Sequence, residues 1–197
     1  MREPSQPPIG SNAPDLTRFL AELARAGKDG ERRPLPPVEA WNPERCVNDA
    51  GFEIRTDGVW VHEGVRITRD SLVRLFATIL RKDADGETYL VTPAEKVRVA
   101  VADAPFLGIR VDRFGAGADQ VIAVTTNMGD VAAIGVERPL RLTIDPATDQ
   151  PRPYVLVRGR LEARLLRAPF YELVSWGEDG PGAAFGVWSG GVFWPLG

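Results

Sequence analysis

The chain has 197 residues, a hydrophobic fraction of 44% and a formal net charge of −3. This apolar content supports a folded core, in one domain or in two small packed ones, and argues against a disordered protein. The sequence pI of about 5.3 argues against a general binder of nucleic-acid polymers, because such proteins usually carry a basic surface.

Cysteine use and hydropathy indicate the compartment. Cys46 is the one cysteine of the sequence, so no intramolecular disulfide can form, which is typical of a reducing cytoplasm. Residues 1–8 lack the apolar core of a signal peptide, and no stretch approaches the roughly 18 apolar residues of a membrane span. We therefore expect a cytoplasmic protein of bacterial type that makes no membrane contact.

Arginine dominates the positive charge, since only Lys28, Lys82 and Lys96 among the 24 basic residues are lysines. A GC-rich genome explains this excess most simply. Selection for bidentate recognition of anions is the alternative.

An extension precedes the folded body, and we place it at residues 1–37. Its first part, 1–13, is rich in Pro, Ser and Gln and predicts disorder. Apolar residues at helical spacing predict a short helix over 14–26, which Gly27 ends. A charged, Pro-rich linker then leads into the N-terminal half of the fold, at 38–105.

The N-terminal half is expected to contain short strands and one helix. Asp57-Gly58 lies between alternating segments and is a strong hairpin signal. The apolar face of 69–82 predicts a helix, and alternation predicts strands over 88–91 and 96–101.

The C-terminal half, 106–197, is expected to be richer in strands. We predict a meander of three or four strands over 107–145 and one long strand over 153–167. A helix over 168–176 and a closing hairpin around Ser189 follow. The predicted fold class is therefore α+β, with antiparallel sheets that each pack against one helix.

Two segments, 59–76 and 155–174, resemble copies of one pattern. Each begins with a short apolar strand, continues through charged residues and ends in a helix, and the helices match in residue type when Arg69 is aligned with Arg167. The pattern predicts two similar halves that arose by duplication, with coincidence as the alternative because the match is weak. A seam between two halves is a common place for a ligand.

Residues of the usual catalytic kinds are scarce. His62 and Cys46 could form at most one thiol–imidazole pair, and a structural role is more common for each. The sequence has no P-loop, no dinucleotide-binding glycine pattern and no metal-ligand or calcium-loop spacing. We therefore predict no catalytic residue, no metal and no cofactor, and keep a hydrolase or transferase of unrecognised type as a third hypothesis.

Alternating charges on the predicted strand 153–167 form the best candidate for anion recognition. Arg158, Arg160, Glu162 and Arg164 would share one face, with neighbours ~6–7 Å apart at a rise of ~3.3 Å per residue. Two guanidinium groups at that spacing can hold one phosphate. The alternative is a solvated sheet face on which Glu162 pairs with its neighbours.

The segment Thr92-Pro93-Ala94-Glu95-Lys96 has two interpretations. The Thr92 hydroxyl and the Glu95 carboxylate can cap a turn by accepting bonds from free backbone N–H groups. In the functional interpretation Lys96 stays free for an anionic ligand, with Thr92 beside it.

Four further residues complete the candidate ligand site. Thr126 and Asn127 offer a hydroxyl and an amide at a strand end, with ordinary turn chemistry as the alternative. Trp188 could stack on a flat ring, although most tryptophans belong to the core. Ser189 lies beside it at the start of the closing turn.

Several of these strings together resemble a bacterial family catalogued as domain of unknown function 1285. The resemblance covers roughly residues 35–197, in the same order and spacing. The strings are Asp57-Gly58-Val59-Trp60, Ile67-Thr68-Arg69, Leu72-Val73-Arg74-Leu75-Phe76, Leu90-Val91-Thr92-Pro93-Ala94-Glu95-Lys96, Asp103-Ala104-Pro105-Phe106, Thr126-Asn127 and Val187-Trp188-Ser189-Gly190-Gly191.

The resemblance implies a cytoplasmic protein of two similar α+β halves, of which the second is superficially like a pleckstrin-homology domain. It also implies a binding site between the halves, a nucleotide-like ligand and a role in signal transduction. It transfers no catalytic residue. The leading expectation is thus a sensor that binds a small anionic ligand at the seam, and the alternative is a protein-interaction module that uses the C-terminal half.

Overall fold

The computed structural model describes residues 35–197, so the disorder and the helix predicted before residue 35 lie outside the described residues. The N-terminal half comprises β1 (Arg45–Ile54), β2 (Trp60–His62), β3 (Val65–Arg66), α1 (Asp70–Thr78), β4 (Leu80–Lys82), β5 (Thr88–Val91) and β6 (Glu95–Val101). The C-terminal half comprises β7 (Phe106–Phe114), β8 (Val121–Thr126), β9 (Val131–Ala133), β10 (Leu140–Ile144), β11 (Pro151–Arg158), β12 (Leu161–Leu165), α2 (Arg167–Ser175), β13 (Glu178–Asp179), β14 (Phe185–Ser189) and β15 (Val192–Pro195). Neither helix is long and apolar enough to cross a membrane, as far as the described residues go.

Each half is built on one six-stranded sheet. The strand orders are β3-β2-β1-β6-β5-β4 and β10-β11-β12-β7-β8-β9, and β13-β14-β15 form a small third sheet. The central pairs β1–β6 and β12–β7 are parallel, while the other neighbours are antiparallel. The prediction of purely antiparallel sheets was therefore wrong: each large sheet is mixed and consists of two three-stranded meanders joined by a parallel pair.

The two large sheets have the same strand order when the strands are numbered within each half. In both, the first and sixth strands are central, and the third and fourth form the edges. The helices differ, because α1 follows the third strand of its half and α2 follows the sixth. The proposed alignment of 59–76 with 155–174 is therefore wrong, since it pairs a second strand with a fifth.

Two predicted elements have different ends in the structure. The helix predicted over 69–82 ends at Thr78, because the next residues form β4 and pair with β5. The long strand predicted over 153–167 is the hairpin β11–β12, which turns at Gly159 and Arg160. Its side chains keep one alternation through the turn, and this continuity concealed the hairpin in the sequence.

One apolar core extends through both halves. In the N-terminal half Phe76 of α1 stacks on Trp60 with ring centroids 5.9 Å apart, and it also meets the edge of Phe52. In the C-terminal half α2 packs against β7 and buries Phe170 and Leu173. The continuous core holds α1 next to the C-terminal sheet and so creates the surface on which a site between the halves can form.

Candidate functional site

Within residues 35–197, three arginines cross the seam, and each donates a hydrogen bond to a backbone carbonyl of the other half. Arg158 Nη2 donates to the Ala77 carbonyl at 2.5 Å, and Arg164 Nη2 donates to the Thr56 carbonyl at 2.9 Å. In the opposite direction, Arg74 Nη1 of α1 donates to the Met128 carbonyl at 3.3 Å. The seam is thus joined by cations that satisfy backbone acceptors.

Arg158 has the densest set of these contacts. Its Nη1 lies 2.8 Å from Asp130 Oδ2, both side chains are about a fifth exposed, and its guanidinium carbon lies 4.9 Å from the centroid of the Phe106 ring. The Ala77 carbonyl that it binds belongs to the last turn of α1, where the helix dipole favours a positive charge. Arg158 therefore acts first as a clamp between the halves.

The β1–β2 turn also touches the C-terminal half. Gly58 has a φ of +78°, and a Cβ at this position would lie 2.9 Å from Leu107 Cδ1 and 3.1 Å from Asn127 Nδ2. Asn127 Oδ1 in turn accepts a hydrogen bond from Leu107 N at 3.0 Å. The absence of a side chain at Gly58 allows this close approach.

A cavity of about 500 Å³ opens beside the Arg158 clamp, between the end of α1 and the turn that follows β8. We call it the seam cavity. Its charged lining residues are Arg74, Asp130 and Arg158, and its apolar lining residues include Leu35, Met128 and Val131.

Among the described residues, two guanidinium groups and one carboxylate line the seam cavity. Arg158 is committed to Asp130 and Ala77, whereas the Met128 carbonyl is the one partner of the Arg74 side chain among the described residues. Arg74 is exposed and keeps most of its N–H donors for another acceptor. A negatively charged group that enters the cavity would therefore find Arg74 available.

Of the predicted site residues, Arg158 lines the seam cavity, and Thr126 and Asn127 lie at the adjacent turn without lining the cavity themselves. Thr126 Oγ1 accepts hydrogen bonds from Met128 N at 3.3 Å and from Asp130 N at 3.1 Å. These bonds shape the turn that forms one wall of the seam cavity. Thr126 therefore stabilises the turn, and this turn places Asp130 next to Arg158.

Thr92 and Lys96 lie on the N-terminal sheet, and neither lines the seam cavity. Thr92 Oγ1 accepts a hydrogen bond from Glu95 N and donates one to the Glu95 carbonyl, both at 3.0 Å, as the turn interpretation requires of Thr92. The Glu95 carboxylate instead pairs with Arg45 Nη1 at 3.2 Å. Lys96 Nζ lies 2.8 Å from Asp83 Oδ2 and 4.1 Å from the centroid of the Tyr89 ring. Lys96 therefore belongs to an ion-pair network.

This network shifts three pKa values. Burial tends to raise the pKa of Asp83, but hydrogen bonds from Arg81 and Lys96 lower it below its usual value. The hydrogen bond to Asp83 raises the pKa of Lys96. Burial, followed by the hydrogen bond to Asp85, raises the pKa of Tyr89 to about 12. The network thus favours its charged carboxylates and ammonium, and Tyr89 stays protonated.

The β11–β12 turn separates the remaining charged candidates from Arg158. Arg160 lies in the turn beside a smaller cavity of about 100 Å³, and its side chain has no partner among the described residues. Glu162 pairs with Arg141 through two contacts of 2.6 Å. Arg164 Nε lies 2.6 Å from Asp103 Oδ2. The predicted common face of Arg158, Arg160 and Arg164 on one strand therefore does not exist.

Ser189 joins the closing hairpin to the C-terminal sheet, and the Trp188 ring packs within that hairpin. Ser189 is fully buried, and its Oγ accepts a hydrogen bond from Ile122 N at 2.9 Å and donates one to the Ile134 carbonyl at 2.7 Å. The Trp188 ring meets the edge of Phe193 at a centroid distance of 5.3 Å. Neither residue lines the seam cavity.

Sequence reasoning did not select Arg74, Met128 or Asp130. Arg74 lies on a helix and contacts Met128, which is 54 positions away in the sequence. No local sequence pattern predicts such a contact. The glycine turn at 127–130 was visible in the sequence and could have suggested Asp130.

Comparison with known proteins gives the family. A model for the C-terminal domain of the protein of unknown function DUF1285 matches residues 105–196, and a model for the N-terminal domain of the DUF1285 domain of unknown function matches residues 36–104. No curated protein shows significant similarity to the chain.

Two crystal structures of DUF1285 family proteins are similar to this one. The protein from Silicibacter pomeroyi is 44% identical with a TM-score of 0.80, and the match covers 90% of this chain and 93% of that one. The protein from Shewanella baltica is 30% identical with a TM-score of 0.52, over 65% of this chain and 93% of that one. The two family models cover most of the chain in sequence order, and the chain belongs to the DUF1285 family.

Proposed function

We propose that this protein is a non-enzymatic sensor that binds a small anionic, nucleotide-like ligand in the seam cavity and acts in signal transduction. The observation that supports the proposal is the pairing of an available cation, Arg74, with an apolar wall in a cavity lined by both halves. A ligand there would contact α1 of one half and the turn after β8 of the other.

The size and lining of the seam cavity suit such a ligand. A volume of about 500 Å³ falls within the range of roughly 300–1,000 Å³ that is usual for small-molecule sites. Arg74 can bind a phosphate or carboxylate through its planar fork. Leu35, Met128 and Val131 offer apolar surface to a ring.

The arginines of the cavity take different parts in this proposal. Arg158 positions the Asp130 turn and holds α1, so its removal would disturb the fold as well as the ligand. Arg74 donates one long hydrogen bond within the protein, and most of its N–H donors would be available to the ligand. Arg160, Arg164, Lys96 and Trp188 lie outside the cavity, and the proposal does not use them.

The test is binding by purified wild-type protein and an Arg74→Ala variant to a panel of nucleotides and phosphorylated metabolites. We expect one or more of them to raise the Tm, and we expect Arg74→Ala to weaken that binding about tenfold while the unliganded Tm changes little. Arg69→Ala is the matched control, because Arg69 is an exposed arginine just before α1 that does not line the seam cavity. Equal losses in the two variants, or a panel without any binder, would contradict the proposal.

The alternative proposal is a protein-interaction module in the C-terminal half, for which the resemblance implies a pleckstrin-like character. Seven of the nine large hydrophobic side chains that are exposed among the described residues belong to this half, Val136 being 78% exposed. A partner protein that docks here should be lost on Val136→Asp or on truncation of residues 185–197. Retention of nucleotide binding by Val136→Asp would separate the two proposals.

We also propose that the two halves arose by duplication. Their common strand order supports this origin, with β1 to β6 equivalent to β7 to β12 and the helices added at different points. Superposition of the two sheets in that order should bring the Cα atoms of all six strands into register. A match confined to the central pair would contradict it.

A further inference from the structure

A second cavity lies within the C-terminal half, where the loop between β10 and β11 approaches the start of α2. Its volume is about 260 Å³, and it shares no lining residue with the seam cavity. We call it the arginine cavity, because Arg152, Arg164 and Arg167 all line it.

The charges around the arginine cavity do not balance. Asp145 is the one carboxylate among its described lining residues, and it forms an ion pair with Arg152. A hydrogen bond from Ala147 N is the largest influence on the pKa of Asp145 and lowers it, so this carboxylate stays charged at neutral pH. Three guanidinium groups therefore face one carboxylate.

The second arginine is held in position by groups outside the cavity. Arg164 Nε contacts Asp103 Oδ2 at 2.6 Å, and Nη2 donates to the Thr56 carbonyl at 2.9 Å. Tyr154 also donates to Asp103, at 2.7 Å. Asp103 does not line the cavity. Even when its charge is counted together with that of Asp145, the three arginines leave one excess positive charge.

Arg167 supplies that excess charge. It is the first residue of α2, and its Nη2 donates to Gln150 Oε1 at 2.5 Å. This partner is a neutral amide, which orients the guanidinium without neutralising it. Thr148 and the amide nitrogen of Gln150 add neutral polar groups to the same cavity.

The rest of the lining is apolar. Phe170 and Leu165 are buried core residues that reach the cavity, and Pro151 and Pro153 complete this wall. An anion bound by the arginines would therefore have apolar surface beside it for a small carbon group.

We propose that the arginine cavity is a second binding site, specific for a phosphate group carried either by inorganic phosphate or by a small phosphate monoester. Guanidinium groups bind phosphate through pairs of parallel N–H···O bonds, and three of them around one cavity match the several acceptor oxygens of a dianion. The bound dianion would relieve the repulsion between the three cations. A monocarboxylate offers fewer acceptors and one charge, and it fits this lining less well.

The test follows the arginine side-chain N–H signals of the full chain by nuclear magnetic resonance during titration with inorganic phosphate, at an ionic strength kept constant with sodium chloride. We expect saturable shifts of the Arg152, Arg164 and Arg167 signals. Arg167→Ala should weaken binding on the order of tenfold, because a charge-assisted bidentate contact is lost. Arg167→Lys, which keeps the charge without the fork, should show an intermediate loss.

Arg98→Ala is the matched control, since Arg98 pairs with Glu87 on the N-terminal sheet and lines none of the three cavities. Equal weakening by Arg98→Ala and Arg167→Ala, or shifts that sodium chloride alone reproduces, would overturn the proposal. A parallel titration with phenyl phosphate distinguishes the sources. Tighter binding than inorganic phosphate indicates a monoester whose carbon group meets Phe170, and equal or weaker binding indicates free phosphate.

Discussion

The two halves share one strand order, yet their polar networks are neutralised to different degrees. On the N-terminal sheet Arg81 and Lys96 both bind Asp83, and the remaining donors of Arg81 reach backbone carbonyls. On the C-terminal half Arg167 has a neutral partner and Arg160 has none among the described residues. The network of Arg81, Asp83 and Lys96 on the N-terminal sheet is therefore closed, whereas the network around Arg167 in the C-terminal half is open.

This difference shows which charges stabilise the fold and which remain for a ligand. A cation that binds both a carboxylate and a backbone carbonyl inside the protein contributes to stability, and its loss leaves those acceptors without a partner. A cation with spare donors contributes little to stability and can bind an anion. By this criterion Arg81 and Arg158 are structural, whereas Arg74 and Arg167 are available.

The largest expected effect is the loss of the closed network through Arg81→Ala. Arg81 is 9% exposed, contacts Asp83 Oδ1 at 2.6 Å, and donates to the carbonyls of Val38 and Trp41 at 2.7 and 2.6 Å. We expect the free energy of unfolding to fall by about 3 kcal/mol, because two acceptors and a carboxylate lose a buried partner. Urea denaturation of the wild type and of Arg81→Ala measures this difference in the free energy of unfolding.

Two further variants show whether the comparison of the halves holds. Arg98→Ala removes an exposed arginine from the same sheet, and Arg167→Ala removes one from the open network. Each should cost less than about 1 kcal/mol. A loss for Arg167→Ala as large as that for Arg81→Ala would mean that the C-terminal network is also closed.

The second expected effect concerns the contact between the halves at Gly58. Gly58 and Gly64 have nearly equal positive φ values of +78° and +80°, but a Cβ at Gly64 would meet nothing within 4 Å. Both alanine variants should lose about 1 kcal/mol to backbone strain. Gly58→Ala should lose roughly 1–3 kcal/mol more, because its Cβ overlaps Leu107.

The difference between these two variants measures how tightly the halves pack, and thermal unfolding of both provides it. Leu107→Ala in the Gly58→Ala background should recover part of the loss by making room for the new Cβ. Equal Tm values for Gly58→Ala and Gly64→Ala would show that the close approach at the seam contributes nothing.

Local features of the fold could be predicted from the sequence. Asp57-Gly58 marks the β1–β2 turn, where Asp57 Oδ1 accepts a hydrogen bond from Val59 N at 3.0 Å, and the glycines after Ser189 mark the closing hairpin. The parallel pair β1–β6 could not be predicted, because it joins Arg45 to Glu95, which are 50 positions apart in the sequence. Nothing in either segment specifies its partner.

The candidate site could likewise be predicted only where local chemistry defines it. Thr126 and Asn127 were selected from local turn chemistry, and the structure places them in the turn beside the seam cavity, although neither lines it. Arg158 was selected from an alternation that spans a hairpin, so its supposed neighbours on one strand lie elsewhere. Its actual neighbour across the seam, Ala77, is 81 positions away in the sequence, and a periodicity argument cannot reach that far.

The smallest expected effect is a difference in acid sensitivity between Asp83 of the closed network and Asp145 of the open one. Both have a pKa below the usual value of 3.8; for Asp83 burial opposes the shift and Arg81 and Lys96 produce it, while for Asp145 the backbone N–H of Ala147 has the largest influence. A carboxylate whose pKa is lowered by folding stabilises the fold at pH values above its pKa in the unfolded state. This contribution is lost as the pH falls through its pKa in the folded state.

We therefore expect the difference in unfolding free energy between wild type and Asp83→Asn to be constant near neutral pH and to shrink below pH 3.8. Lys96 adds a pH dependence on the alkaline side, because its pKa is raised by folding. Its contribution to stability is complete below its usual pKa of 10.5 and is lost as the pH rises through its pKa in the folded state. Removal of Arg152 should leave most of the acid-sensitive stability contribution of Asp145 in place, since the hydrogen bond from Ala147 N remains. Urea denaturation between pH 3 and pH 7 compares the loss of stability in acid that is due to Asp83 with the loss that is due to Asp145. If the Asp145 contribution disappears in Arg152→Ala, a side chain rather than the backbone sets the pKa of Asp145.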